Sequence, residues 1–398
     1  MLTVDEALAH LLDGLRLTDA EPVSLADAPG RVPFSRSVSA AVDVPPFANS
    51  AMDGFAMIAA DGSAARRVVG ESRAGGPAAP VVEAGSAVRI MTGAPMPDGA
   101  DTIVPIEESS ELDGVVTVAS APSAGTHVRP AGLDVRRGEP IALSRLELSP
   151  SAIGLLAAMG IAELDVHRRP RVAILSTGDE LRDIGAPLGH GQIYDANAPA
   201  LAAAVAEAGG EVIILDRAPD DAAAIEASVR SALDRADLLI ASGGVSVGDY
   251  DHVRGVIQRL GTLDFWRIAV QPGKPLAFGR IGEVPVIGLP GNPVSALVTF
   301  ELFVRPMVRA MLGLPGDGRL RVSARVTDSI GKDPKRRAYL RVLVERDIDG
   351  YRAVSAGGQG SSQLMPLASA NGLLIVPEGV PATEPGAVYE TLLLGGIA

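Results

Sequence analysis

"DLLIASGGVSVGDYDHVRGVIQRL" (Asp237–Leu260) reads as three elements in succession. "DLLIAS" is a short apolar run of the kind that forms a strand buried on both faces. A glycine-rich loop follows, and "HVRGVIQRL" has the periodicity of an amphipathic helix. The same texture extends in both directions: "RVAILST" runs into "GDEL", "NAPALAAAVAEAG" is helical, "EVIILD" is a strand and "DDAAAIEASVRSALDRA" is a helix. Further strands are expected around 264–289, then a long helix over 293–312. This alternation predicts a doubly wound parallel sheet covered by helices on both faces, a three-layer α/β/α domain.

In such a sheet ligands bind beyond the carboxyl ends of the strands. The loops that follow strands are "STGDEL", "SGGVSVGDYD", "QPGKP" and "GLPGNP", all glycine-rich or polar, and the topology gathers them toward one edge. Gly243 and Gly248 have the G-x-x-x-x-G spacing of a phosphate cradle, and with Gly244 they let backbone N–H groups approach an anion. A nucleotide P-loop would continue with Lys and then Ser or Thr. Here Asp249, Tyr250 and Asp251 follow. One of these acids can simply cap the next helix. Two within three residues also suit a divalent cation, since Mg²⁺ is held by one or two carboxylates plus substrate phosphates. Glu180 in "STGDEL" and one of the pair Asp220–Asp221 are candidates for the same shell, the other acid of the pair being a helix cap. Lys274 is one of three Lys against thirty-two Arg, held between Gly273 and Pro275, which points to an anion contact, with Arg267 just upstream. Asn292 and Pro293 read as the N-cap and first residue of a helix, either an anion-friendly end or an ordinary capped core helix.

The flanking regions have other textures. From about 40 to 148, short apolar stretches punctuated by Pro and Gly predict small β structure. It is bracketed by "MLTVDEALAHLLDGL", with a Thr3–Glu6 capping box and a Leu8, Leu11, Leu12, Leu15 stripe, and by "LSPSAIGLLAAMG", with Ser149 as N-cap and Pro150 at the first helical position. The β region therefore reads as an insertion between two helical pieces. Beyond 318 only strands are expected, "ERDIDGYRAV" being a hairpin turning at Asp349–Gly350.

Composition bounds the chemistry. The chain has 398 residues, 47% apolar and 21% charged, which is ordinary for a globular protein and long enough for several domains. Its net charge of −13 argues against nucleic acid or acidic membrane surfaces as partners. It has no Cys, which excludes disulfides and thiolate chemistry, and its five His are scattered without zinc spacing. No apolar run reaches the roughly 18 residues of a membrane span, and the N-terminus lacks the basic region of a signal peptide. Cytoplasm is the expected compartment.

The motifs together resemble one family, the molybdopterin molybdenumtransferases (the MoeA family, which includes the E domain of gephyrin). The matching segments are "DVPPFANSAMDGFA", "RIMTGAPMPDGADTIVPIEE", "STGDEL", "GQIYDANAPAL", "SGGVSVGDYDHV", "QPGKPLAFG", "GLPGNPVSA" and "GQGSSQLMPLASANGLLIVP", in family order over about residues 43–377. The resemblance implies an α/β multidomain protein. Its parts would be a discontinuous helical linker domain (1–42 and 138–168), an inserted β domain (43–137), an α/β domain similar to the adenylylating enzymes MogA and MoaB (169–316), and a β-barrel-like C-terminal domain (317–398). It implies transfer of molybdate to adenylylated molybdopterin with release of AMP, dependent on Mg²⁺. A homodimer is implied, with the adenylyltransferase and apo-molybdoenzymes as further partners.

By motif, Asp53, Thr92, Asp134, Lys274 and Arg267 would act on the substrates. Gly243, Gly244, Ser246, Gly248, Asp249, Pro290, Asn292, Pro293 and Ser361 would bind them, and Glu180, Asp220 and Asp251 would surround Mg²⁺. Three positions depart from the family's pattern and bear on molybdate affinity: Gln271 and Arg267 stand where Lys is expected, and Leu133 stands where "GED" is usual. Two rival readings are a binding scaffold with secondary catalysis and an adenylyltransferase. The retained acids argue against the first and the extra β domains against the second.

Overall fold

The computed structural model describes residues 1–143, 146–214, 221–243, 252–316 and 319–397, the side chains of Ile214 and Phe265 excepted. These fall into two compact units, Ala20–Val166 and a unit made of Met1–Asp19 with His167–Ala398.

The second unit is built on a six-stranded sheet in the order Glu211–Ile214, Arg171–Ser176, Leu238–Ser242, Val284–Leu289, Pro275–Ile281, Thr262–Arg267. The first four strands are mutually parallel. Alternate residues explain why their sequences read as unbroken apolar runs. Val172, Ile174, Leu238, Ile240, Ile287 and Leu289 are buried with Leu201 and Val205 of the Asn197–Ala208 helix and with residues of the 293–311 helical run. Ala173, Leu175, Leu239, Ala241 and Val286 are buried on the opposite face, with Ile225 and Val229 of the Ala222–Leu233 helix and Val253, Val256 and Ile257 of the His252–Leu260 helix. Each fully buried Val, Leu or Ile contributes about 1.5–3 kcal/mol. The doubly wound arrangement is thus as expected.

The sheet is mixed, however, not wholly parallel. Pro275–Ile281 runs antiparallel to both neighbours. Only Gly282 and Glu283 separate it from Val284, with Gly282 at φ 57°. A two-residue connection makes a hairpin, whereas a parallel pair needs a crossover of a dozen or more residues.

The N-terminal helix Val4–Leu12 has the expected reciprocal cap: Glu6 N donates to Thr3 Oγ1 at 3.1 Å and Thr3 N to Glu6 Oε2 at 2.8 Å. Val4, Ala7 and Leu11 are buried in the same cluster as Ile268, Met307 and Val308, so this helix packs on the α/β core. The long helix begins at Pro293 and passes through a π-helical stretch, Phe300–Val304, before ending at Met311.

Five strands beyond it close on themselves: Arg337–Asp347, Gly350–Ser355, Arg321–Val326, Val388–Leu393 and Gly372–Val376, the last pairing back to the first. Ala324, Val326, Ala338, Leu340, Val342, Val344 and Leu374 are among the residues buried in this barrel's core. The expected hairpin is present, but Asp347 pairs with Gly350, so Ile348 and Asp349 form the loop. The turn lies one residue earlier than the Asp349–Gly350 reading, because the pairing that runs from Val342–Ser355 to Asp347–Gly350 leaves two residues between the strands, and Asp347 Oδ1 accepts the Ile348 N–H at 2.7 Å.

The unit Ala20–Val166 holds a second six-stranded sheet, ordered Thr102–Pro105, Gly54–Met57, Ser86–Ile90, Arg66–Ser72, Val115–Val118, Ser109–Leu112. Gly54 has no alternative there: a Cβ would lie 2.1 Å from the Val104 carbonyl oxygen. The Pro150–Ala158 helix starts at the Ser149 cap and buries Leu156 against Ala28, Leu148, Leu164 and Val166. No helix among the described residues is long and apolar enough to cross a membrane.

Candidate active site

The strand order reverses between Arg171–Ser176 and Leu238–Ser242, whose last residues, Ser176 and Ser242, are register partners. Beyond them opens a cleft of ≈ 590 Å³ that both serines line, together with Thr177, Glu180, Asn197 and Asn292. This is the crevice where open α/β sheets bind ligands.

Its walls are tied together by short polar contacts. Asn197 Nδ2 donates to Ser242 Oγ at 2.9 Å and to the Gly291 carbonyl at 2.8 Å, joining two strand-end loops. Asp195 Oδ1 accepts from Asn197 N and Ala198 N, both at 3.0 Å, so this carboxylate already occupies the start of the Asn197–Ala208 helix. Gly243 sits at φ 82°, where a Cβ would crowd the Thr177 carbonyl at 3.1 Å. Gly178 sits at φ 149°, and a Cβ there would lie 2.6 Å from Glu180 Oε2, so the glycine leaves the exposed Glu180 carboxylate its place. Ser176 is 4% exposed and its hydroxyl has no hydrogen-bond partner among the described residues. A buried hydroxyl left unpaired costs about 1–3 kcal/mol, so an acceptor, whether a water or a ligand oxygen, is expected at this edge of the cleft.

Asn292 is the N-cap of the next helix by backbone geometry, but its side chain makes no cap bond. Nδ2 donates instead to Ser361 Oγ at 3.3 Å, while Val294 N donates to the Ser361 carbonyl at 3.2 Å. The 358–363 loop is thereby brought to the cleft, which Ser362 lines. Behind it lies a residue sequence reasoning missed. Arg341 is wholly buried, and its Nη2 donates to the Gly358 and Gly360 carbonyls at 3.0 and 3.1 Å. Nε and Nη1 have no partner among the described residues, and burial pushes the guanidinium pKa down from its ordinary value. The signal in "RAYLRVLV" is a lone cation at an interior position of an apolar strand.

Of the residues expected at the site, Glu180, Gly243, Asn292 and Pro293 line this one cleft, with Ser361 bound to Asn292. Arg267, Lys274 and Pro290 are not among its lining residues. Arg267 pairs across the strand with Pro275, and the Lys274 carbonyl accepts from Ile268 N at 2.9 Å. Lys274 is exposed, and its ammonium has no ion-pair or hydrogen-bond partner among the described residues. Gln271, at the position expected to carry Lys, accepts the Asp333 N–H through Oε1 at 2.9 Å. Gly244, Ser246, Gly248, Asp249, Asp251 and Asp220 lie outside the described residues. Asp221 is the cap of its helix, Oδ1 accepting from Ala223 N and Ala224 N. Among the described residues no three His, Asp or Glu gather as a metal site.

In the other unit, Asp53 and Thr92 are directly bonded. Thr92 N and Thr92 Oγ1 both donate to Asp53 Oδ1, at 2.6 and 2.8 Å. The backbone bond and then the hydroxyl bond hold the exposed Asp53 carboxyl below its ordinary pKa. The two loops are stitched by Gly93 N to the Ser50 carbonyl at 2.8 Å and Ser50 N to the Ala94 carbonyl at 3.1 Å. Asp134 belongs to a different turn, its N–H bonded to the Val44 carbonyl at 2.9 Å. Leu133 beside it is 60% exposed.

A further cleft of ≈ 540 Å³, beside the N-terminal helix, is lined by charges that already pair internally. Arg305 and Arg319 both bond Glu301, and Arg337 bonds Asp5. It offers a ligand less unsatisfied chemistry than the switch-point cleft.

Three family models cover most of the chain: the MoeA N-terminal region (domain I and II) over residues 2–160, the probable molybdopterin binding domain over 173–310, and the MoeA C-terminal region (domain IV) over 323–394. A molybdopterin molybdenumtransferase of Haemophilus influenzae is 41% identical over 79% of this chain and 78% of its own length. Molybdopterin molybdenumtransferase 2 of Mycobacterium tuberculosis is 39% identical over 98% of this chain and 99% of its own. Among solved structures, a molybdopterin biosynthesis moeA protein from Pyrococcus horikosii superposes with a TM-score of 0.84 at 31% identity, covering both chains in full.

Proposed function

The chain belongs to the molybdopterin molybdenumtransferase family, transferases of molybdenum cofactor biosynthesis, and from that premise we propose that it places molybdate on adenylylated molybdopterin with release of AMP, in a Mg²⁺-dependent reaction. The observation that carries this reading is the topological switch-point cleft walled by Glu180, Asn197 and Ser242, with the buried Ser176 hydroxyl, unpartnered among the described residues, at its edge. A phosphate chain supplies the acceptor that this donor lacks.

The described residues suit a magnesium–phosphate ligand: Glu180 is an exposed carboxylate on the cleft, and Mg²⁺ asks for one or two carboxylates plus phosphate oxygens. Glu180 would hold the ion, with Asp220 and Asp251 assigned beside it from the motifs. When bound, Mg²⁺ neutralises charge on the phosphoanhydride. The chain's own part is to orient the ligand. Ser176 donates to it, Gly243 lets backbone approach, and Asn292 and Ser361 fix the loop that borders the cleft. By motif, Lys274, Arg267, Pro290 and Ser361 are assigned to the anion pocket, Asp53 and Thr92 to the substrate and molybdate, and Asp134 to a further functional position, in a homodimer.

The test is direct. Purified protein with adenylylated molybdopterin, molybdate and Mg²⁺ should release AMP and yield cofactor that activates an apo-molybdoenzyme. Folded protein that releases no AMP and activates nothing overturns the reading; receptor-peptide capture without turnover would instead favour a scaffold.

A further inference from the structure

We propose that Tyr194 is a specificity-determining residue that stacks on the planar heterocycle of the ligand in the switch-point cleft, an assignment that rests on the nucleotide reading above. The cleft wall mixes hydrogen-bonding groups, Ser176, Thr177, Glu180, Asn197, Ser242 and Asn292, with the apolar side chains of Leu181, Ile193 and Pro293. Tyr194 is the one aromatic among the described residues of that wall, 41% exposed beside Ile193. Isolated exposed apolar groups need no explanation. An aromatic ring inside a hydrogen-bonding cleft does, in a chain where aromatics are only 3% of residues.

The ring is also held in place before any ligand arrives. Its hydroxyl donates to the Ala186 carbonyl at 2.9 Å. Its backbone belongs to a short strand, Ile193–Tyr194, paired in parallel with Leu181–Arg182. Ile193 N donates to the Glu180 carbonyl at 2.8 Å, linking the ring's strand to the carboxylate assigned to the metal. On its other side Asp195 caps the helix whose Asn197 reaches Ser242. An anchored ring loses little freedom on binding, so more of its contact energy appears as affinity. The cleft thus combines donors that suit a phosphate chain with one preset aromatic face that suits a flat ring.

The two halves of the proposed substrate, adenine and pterin, share that flat-ring chemistry. Ring stacking on an aromatic side chain is worth roughly 5- to 150-fold in affinity, and a ligand with a phosphate but no ring gains none of it.

The assignment is tested by titration calorimetry of the full-length chain, with Mg²⁺, against AMP, neopterin monophosphate and ribose 5-phosphate. At least one of the two ring-bearing ligands should bind wild type about tenfold more tightly than ribose 5-phosphate, and which one does identifies the ring. Tyr194→Ala should erase that advantage while leaving ribose 5-phosphate unchanged. Tyr194→Phe, which keeps the ring and its strand pairing and loses only the Ala186 bond, should retain most of it. If the ligands bind but Tyr194→Ala weakens all three alike, or none of them, the stacking assignment is overturned while the cleft reading stands. If none of the three binds wild type, the nucleotide reading falls and takes this assignment with it.

Discussion

One oxygen of Asp53 receives both donors of Thr92, the backbone N–H at 2.6 Å and the hydroxyl at 2.8 Å. Hydrogen bonds to the ionised form favour it, so the carboxyl titrates below its ordinary value. Thr92→Ala should move the Asp53 pKa part of the way back up, because the backbone donor is the larger cause and survives. Thr92→Ser should restore it. The sign for stability follows from a depressed folded-state pKa: the contribution is present above the ordinary carboxylate value and is lost as pH falls through the folded one. Carboxyl-detected NMR titration of the three proteins measures the shift. An unchanged Asp53 pKa in Thr92→Ala would show that the hydroxyl bond is absent in solution.

Ser176 separates stability from binding. Its hydroxyl is buried without a partner among the described residues, so Ser176→Ala removes an unsatisfied group and none of their bonds. Urea unfolding should show a change within about 0.5 kcal/mol, or a small gain. Pyrophosphate binding in the presence of Mg²⁺ should weaken about tenfold, the order expected for one hydrogen bond to a charged acceptor. A stability loss with unchanged binding would mean that the hydroxyl is used inside the fold.

The α/β body was legible because both layers of its core are written in period two. In Val172–Leu175 and Leu238–Ala241, every residue is buried on one face or the other. The Pro275–Ile281 strand's direction was not, since an apolar strand reads the same whichever way its neighbour runs; the two-residue gap at Gly282–Glu283 was the available signal. Glu180, Gly243 and Asn292 were placed at the cleft because each follows a strand at the sheet's carboxyl edge. Ser176 and Arg341 were missed for a common reason. A missing hydrogen-bond partner is a property of the packed interior, and no local spacing announces it.

Gln271, where the family resemblance implies Lys, is engaged in a tether. Its carboxamide oxygen accepts the Asp333 N–H at 2.9 Å, and Val270–Gln271 pairs in parallel with Arg337–Ala338, so the segment leading to Lys274 is fastened to the barrel. Gln271→Lys removes the acceptor and leaves the Asp333 N–H without this partner. Thermal or urea unfolding should register a loss of about 1 kcal/mol. Molybdate affinity should rise with the added charge if the family's pattern at this position serves the anion. The stability loss alone, with molybdate binding unmoved, would confine the position to tethering.

Arg341 carries the strongest prediction about the Ser361 loop. Its Nη2 holds the Gly358 and Gly360 carbonyls, and its own backbone is bonded on both sides by Gln359: Arg341 N to Oε1 at 3.0 Å and Nε2 to the Arg341 carbonyl at 3.1 Å. The loop is therefore set from beneath by one side chain and from within by another. Arg341→Met keeps much of the buried volume and removes both carbonyl contacts. It also removes a buried cation that has no ion pair among the described residues, which offsets part of the loss. Global stability should consequently change little, by about 1 kcal/mol in either direction, whereas amide exchange over 358–363 should accelerate markedly. Because Ser361 Oγ accepts from Asn292 at the cleft, ligand affinity should fall with the loop's protection. Arg341→Lys, with a single point charge in place of the fork, should recover the charge but not both carbonyl bonds. Unaltered exchange over 358–363 in Arg341→Met would show that Gln359 alone fixes the loop.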